Sequence, residues 1–249
     1  MRAKGFTLVE TLIGLTVVST LSALSFSIYE SVRTSARQAV STGNLRQLAI
    51  ANLTYAADHG TYCPAQSPDN LTRWHGGRSS ASAGFDPTRG FLADYLGKSR
   101  RVGQCPMFQK AVTAGSFELG SGGYGYNSAY IGGMPENFAD PERPARVRDA
   151  GQTVMFATTA LSKGSGLQEY PYAEPWQWVT PNRTLGGPLQ PSVHFRFKGK
   201  ALVAWCDGSV TSEVASSYGS ANYYGGDNEG DAIGFFGGDA DNGYWNPRR

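Results

Sequence analysis

Charge is scarce in this chain. Asp, Glu, Lys and Arg make up 17% of 249 residues, below the usual quarter, and the formal net charge is +2. No basic block stands out, so the electrostatic footprint of a nucleic-acid-binding protein is missing. Cysteine is scarcer still. Cys63, Cys105 and Cys206 form no C-x-x-C pair, which argues against structural zinc. The only histidines are His59, His75 and His194. None belongs to an H-E-x-x-H, and no P-loop or G-x-G-x-x-G leads from a strand into a helix. His59 falls at an expected helix end and His75 in the loop Arg73-Trp74-His75-Gly76-Gly77, with no Cys or Ser nearby in a nucleophile motif. The expectation is a protein that is not an enzyme and carries no resident cofactor. Proline is missing before Pro64, so nothing there interrupts a helix.

What the sequence does have is one long apolar run. Residues 6–29 hold a single formal charge, the carboxylate of Glu10, and follow Arg2, Lys4 and Gly5. About 20 apolar residues span a bilayer as a helix, and the two cations place its N-terminal side in the cytoplasm. Helical spacing then continues through Val32, Ala36, Ala39, Val40, Leu45, Leu48, Ala49, Asn52, Leu53 and Ala56. Residues 30–60 therefore read as an amphipathic second half, packed on a soluble domain. Gly43 is its weak point. Asp58-His59-Gly60 reads as the stop, with Gly60 left-handed. The whole helix is a rod of about 75 Å at 1.5 Å per residue.

Glu10 is the odd residue of that rod. A carboxylate in lipid costs about 2.5–3.5 kcal/mol near the centre, less near an end, and normally has a partner. A free amine at the start of a neighbouring copy would serve. Cleavage after Gly5 creates one on Phe6. Lys4-Gly5-Phe6-Thr7-Leu8-Val9-Glu10 resembles the processing site of type IV pilins and type II secretion pseudopilins. That resemblance implies a leader peptide of residues 1–5, cut by a prepilin peptidase that N-methylates Phe6. It implies that Glu10 pairs with a neighbouring terminus during assembly. The implied partners are other pilin or pseudopilin subunits, the inner-membrane assembly platform and the membrane itself. The implied location is the cytoplasmic membrane, single-pass with the head outside the cytoplasm, then a cell-surface or periplasmic filament.

Residues 61–249 make the head. Gly is high, at 32 residues, and aromatics reach 12%, a profile that suits a loop-rich extracytoplasmic β domain. Residues 91–96 read as a short helix closed by Gly97. The first strand expected is 153–158. Residues 162–192 read as a surface insertion, because Pro171, Pro175, Pro181, Pro188 and Pro191 exclude a central strand. The best hairpin joins 200–206 to 209–214 through Asp207-Gly208, a two-residue turn that sets Trp205 opposite Val210 and Ala201 opposite Val214. The fold class is α+β: a long N-terminal membrane-spanning helix packed on a C-terminal antiparallel sheet, with loop-rich stretches at 61–150 and 162–192.

Several short segments, in order, resemble a pilin-like group common in planctomycete and verrucomicrobial genomes. They are Asn44-Leu45-Arg46-Gln47-Leu48, a Cys-Pro turn at 103–107, and Gly123-Tyr124-Gly125-Tyr126-Asn127. A His-x9-Asp-Gly frame ends on Asp207-Gly208, but Phe197 stands in the histidine position and His194 lies three residues early.

Three further expectations concern the head. An odd cysteine count leaves one thiol unpaired or paired between chains. Cys63 and Cys105, in loop contexts, are the expected pair, and Cys206 reads as a buried small hydrophobe. Asp227, Glu229, Asp231, Asp239 and Asp241 carry hard oxygens of the kind calcium uses. Major pseudopilins bind calcium in a C-terminal loop, while a solvated acidic loop explains the same residues. Trp74, Trp176, Trp178, Tyr223, Tyr224, Tyr244 and Trp245 are either packing residues or the stacking surface of a membrane-anchored glycan-binding module.

Overall fold

A computed structural model describes residues 7–108, 119–133, 140–180, 182 and 184–249. The first element is one unbroken helix, α1, Leu8–His59. Gly60 closes it with a left-handed φ of 77°, its N–H donating to the Ala56 carbonyl. This is the stop expected from Asp58-His59-Gly60.

The helix lives in two environments. Every described side chain from 8 to 33 is exposed. From 41 onward one stripe is buried: Ser41, Leu45, Leu48, Ala49, Asn52 and Ala56. The stripe starts later than expected, for Val32, Ala36, Ala39 and Val40 are exposed. The physical reason is the reach of the head. Its first contacts along the helix are Arg37 against the Met107 sulfur and Gln38 Nε2 donating to Ser212 Oγ at 3.3 Å.

The buried stripe packs on a four-stranded antiparallel sheet. Its strands are β1 (Tyr124–Tyr126), β2 (Val154–Thr158), β3 (Lys200–Trp205) and β4 (Val210–Val214), ordered β4-β3-β2-β1. Successive side chains of a strand point to opposite faces, and β3 buries both. Leu202 and Ala204 join Leu45, Leu48, Ala49 and Ala56 on the helix side. Ala201, Val203 and Trp205 meet Phe195, Phe236 and Trp245 on the other. The head thus has three layers: helix, sheet and the returning C-terminal segment. The architecture is α+β and pilin-like.

Polar side chains key the helix to the sheet. Asn52 is fully buried. Its Nδ2 donates to the Tyr126 hydroxyl at 3.0 Å, and its Oδ1 accepts from the Cys63 N–H at 2.9 Å. The Tyr126 hydroxyl in turn donates to the Cys63 carbonyl. Two turns back, Asn44 Nδ2 donates to the Tyr124 hydroxyl at 3.1 Å. Asn52→Ala strands the buried Cys63 N–H, at about 1–3 kcal/mol, and also removes a bond that the Tyr126 hydroxyl accepts, leaving that hydroxyl its donor bond to the Cys63 carbonyl. Denaturant unfolding of the full chain in micelles should show a loss of about 2–4 kcal/mol; a loss well under 1 kcal/mol would mean the keying is dispensable.

Four details differ from the sequence-based expectations. The β3–β4 register is shifted by one: Ala204 faces Val210 and Lys200 faces Val214. The connection is three residues long, because Trp205 N–H bonds the Ser209 carbonyl and Gly208 sits at φ 86°. A left-handed third residue fits the bulged three-residue loop as well as the two-residue one. The first strand of the sheet is β1, not β2; its glycine and flanking turn residues concealed it. Residues 162–192 are not simply an insertion on the surface. Tyr126 N–H donates to the Pro171 carbonyl, and Ala173 N–H donates back to Tyr126. This strap covers the open edge of β1, a position proline tolerates because only its carbonyl is used. Finally, no Cys63–Cys105 bridge is formed. All three cysteines are free thiols and buried. Ser41 Oγ lies 3.1 Å from the Cys105 sulfur, whereas Cys63 sits beside Asn52 and Tyr126.

Phe197, separated from Asp207-Gly208 by nine residues, is buried in the helix-side core. The tight turn after it, Lys198-Gly199, has both residues at positive φ (54° and 77°) and pairs Phe197 with Lys200 through two backbone bonds. That is the two-residue hairpin geometry, placed one connection earlier than expected.

Candidate assembly site

The helix N-terminus is built by its own sequence. Thr7 is the N-cap, with extended φ −77° and ψ 154°, and Glu10 is the third helical residue. Glu10 N–H donates to Thr7 Oγ1 at 3.3 Å, while the Thr7 N–H and hydroxyl both donate to Glu10 Oε2 at 2.8 Å. This is a capping box, in which two otherwise unpaired N–H groups are satisfied reciprocally. In hydrocarbon, where no water reaches such groups, the saving is larger. The carboxylate expected to wait for a partner thus already serves its own helix. Both of its bonds fall on Oε2; among the described residues Oε1 accepts none. Gly5 and Phe6, the expected processing residues, lie outside the described residues.

Thr7 was the residue missed from sequence. The pattern Thr-x-x-Glu directly before an apolar run is a capping signature, and it was legible. The polar residues further along behave in the same self-contained way. The hydroxyls of Thr11, Thr16, Ser19, Thr20, Ser22 and Ser25 all donate to carbonyls three or four residues back, at 2.8–2.9 Å in their shortest bonds. Each hydroxyl is therefore neutralised within the helix. What remains on the surface is apolar: Leu8, Val9, Leu12, Ile13, Leu15, Val17, Val18, Leu21, Leu24, Phe26 and Ile28 are all at least half exposed. At about 1.5–3 kcal/mol per large side chain withdrawn from water, such a surface is not left in water. By length and composition this helix is able to cross a membrane.

Among the described residues the head brings together no comparable chemistry. Asp227 caps its own turn by accepting from the Gly230 N–H, and Asp231 Oδ2 accepts from Ser162 Oγ at 2.6 Å. Asp241 Oδ2 accepts from Asn246 Nδ2, while Glu229 is exposed and Asp239 leads into a separate helical turn. Among the described residues no three His, Cys, Asp or Glu side chains converge to hold a metal. The bonds of Asp227 and Asp241 are those of their own turns.

His75 and His194 are buried. Burial, assisted by the charge of Arg73, pushes His75 down to about 3. Burial with Arg196 pushes His194 down to about 2. Among the described residues neither ring nitrogen of His75 has a hydrogen-bond partner, nor does Nδ1 of His194. Both are neutral packing residues. Burial also raises the Cys63 thiol, and raises Cys206 to about 12, so neither is a ready nucleophile.

The aromatic candidates divide. Trp74 and Trp245 are fully buried, with indole N–H groups donating to the Pro171 and Ala173 carbonyls. They belong to the core and not to a stacking surface. Tyr244 is half-buried against Trp205 and Phe236. Trp178, Tyr223 and Tyr224 are exposed, and Trp176 is half-buried.

Residues 1–26 match the family described as the prokaryotic N-terminal methylation motif. The chain therefore carries the prepilin-type N-terminus of type IV pilins and type II secretion pseudopilins. That motif points to a structural subunit family, to assembly with other pilin subunits and to the membrane. No curated protein and no solved structure matches the chain.

Proposed function

We propose that this chain is a structural subunit of a type IV pilus or a type II secretion pseudopilus. A prepilin peptidase removes residues 1–5 and methylates the new amine of Phe6. The inner-membrane platform then draws the subunit out of the bilayer. In the filament the helices bundle, and Glu10 meets the Phe6 amine of a neighbour. The head stays outside the cytoplasm throughout and ends on the filament surface.

One observation carries the reading. An unbroken helix leaves the head with residues 8–29 as an exposed, largely apolar surface among its described side chains, and it begins on the methylation motif. A surface of that kind has two stable homes, lipid and a bundle of its own copies, and transfer between them exchanges one apolar environment for another. The capping box supports the same account: it keeps the helix end intact while Oε1 is offered to a neighbour.

Gly5→Ala places a Cβ at the scissile position. It should leave the chain uncut in the membrane and remove it from sheared filaments, as read by immunoblot of both fractions. Normal processing of Gly5→Ala, with filaments formed, would contradict the proposed cut.

A further inference from the structure

One side of the head carries a cleft that the assembly role does not use. Trp176, Pro188 and Leu189 face the loop 217–221 across an opening of about 520 Å³. That size lies within the range of about 300–1,000 Å³ typical of ligand clefts. Its floor is the stacked pair Trp176 and Phe235, ring centroids 4.4 Å apart and planes 19° apart. Tyr218, Ser217, Ser220 and Glu229 line the walls. Tyr223, 71% exposed, stands at the rim: its hydroxyl donates to the carbonyl of Pro188, itself a lining residue, at 3.4 Å.

The loop that presents Tyr223 is held still. Asn222 Oδ1 accepts from the N–H groups of Tyr224 and Gly226, and its Nδ2 donates to Asn228. Gln190 Oε1 accepts from the Tyr223 N–H at 2.8 Å. A rigid loop that displays an exposed aromatic ring has little conformational entropy left to lose on binding.

We propose that this cleft binds a neutral glycan chain with flat, equatorially substituted pyranose rings. The aromatic floor and rim match the C–H faces of such rings. Glu229 and the two serines offer acceptors and donors to the hydroxyls on their edges. Among the described residues no Lys or Arg lines the cleft.

The test is a tryptophan-fluorescence titration of the full chain in a detergent without a sugar headgroup. The probes are cellohexaose, chitohexaose and, as a peptide control, decaproline. The expected result is saturable binding of at least one hexasaccharide that is insensitive to added salt. Tyr223→Ala should weaken it about tenfold, the loss of one stacking contact, and Glu229→Gln should weaken it by a smaller factor. Both side chains are exposed, so both variants should keep the parent's circular dichroism and melting temperature. Failure of both sugars to saturate, unchanged affinity in Tyr223→Ala, or saturation by decaproline alone would each overturn the proposal.

Discussion

Glu10→Ala should abolish incorporation into filaments while the head stays folded. The reason is a charge imbalance at the helix bundle. If the amine of one subunit faces the carboxylate of the next away from water, removing the carboxylate strands the amine, at a cost of about 3–5 kcal/mol. That is at least about a hundredfold in the assembly equilibrium. The capping box adds a control. Glu10→Ala deletes both the charge and the cap, whereas Glu10→Gln keeps a side chain able to accept from the Thr7 N–H and deletes only the charge. Quantitative immunoblots of sheared filaments should show Ala and Gln equally depleted. Normal assembly of the Gln variant, with Ala depleted, would assign the role of Glu10 to the cap alone.

Acid should destabilise the head well before Asp69 and Asp86 titrate. His75 and His194 are neutral in the fold, with values lowered to about 3 and about 2. In the unfolded chain each returns to about 6.5. The unfolded state therefore binds two more protons below that value, and stability falls as pH drops. The stabilisation is fully present above the unfolded value and is lost progressively from there toward about 3. Between pH 7 and pH 5 each histidine removes about 2 kcal/mol, or about 4 kcal/mol together. Asp69 and Asp86, whose hydroxyl and backbone bonds hold them below the usual range, act in the same direction only at lower pH. Urea unfolding of the full chain at the two pH values should show the fall, and a His75→Leu/His194→Leu variant should flatten it. An unchanged slope in that variant would show that other groups take up the protons.

How much of this was legible beforehand depends on the kind of force. The rod was readable because its causes are local: no proline before Pro64, an apolar run, and Gly60 at the stop. The buried stripe from Leu45 to Ala56 followed from spacing. Its starting point did not, because it is set by how far the head reaches down the helix, which only the sheet decides. The β3–β4 hairpin was found but its register was wrong, since Asp207-Gly208 suits two loop lengths that differ by one residue. β1 was hidden for a different reason. Tyr124-Gly125-Tyr126 has weak local strand character and becomes a strand through β2 on one side and the strap at Pro171 on the other. Asn52 appeared only as a position on a helical face; that its amide joins Tyr126 to Cys63 depends on contacts 11 and 74 residues away. At the assembly site, Glu10 was recognised for its charge. Thr7, which holds it in the isolated chain, was equally legible and was overlooked because the carboxylate was read only as something needing an outside partner.

The central claim is that a new amine on Phe6 exists in the working protein. Intact mass and N-terminal fragmentation of the chain purified from native filaments or membranes measure it directly. The account predicts a chain that begins at Phe6, with one methyl group on its nitrogen and residues 1–5 gone. A working chain still carrying Met1 through Gly5 would contradict it, because Glu10 would then have no amine to meet.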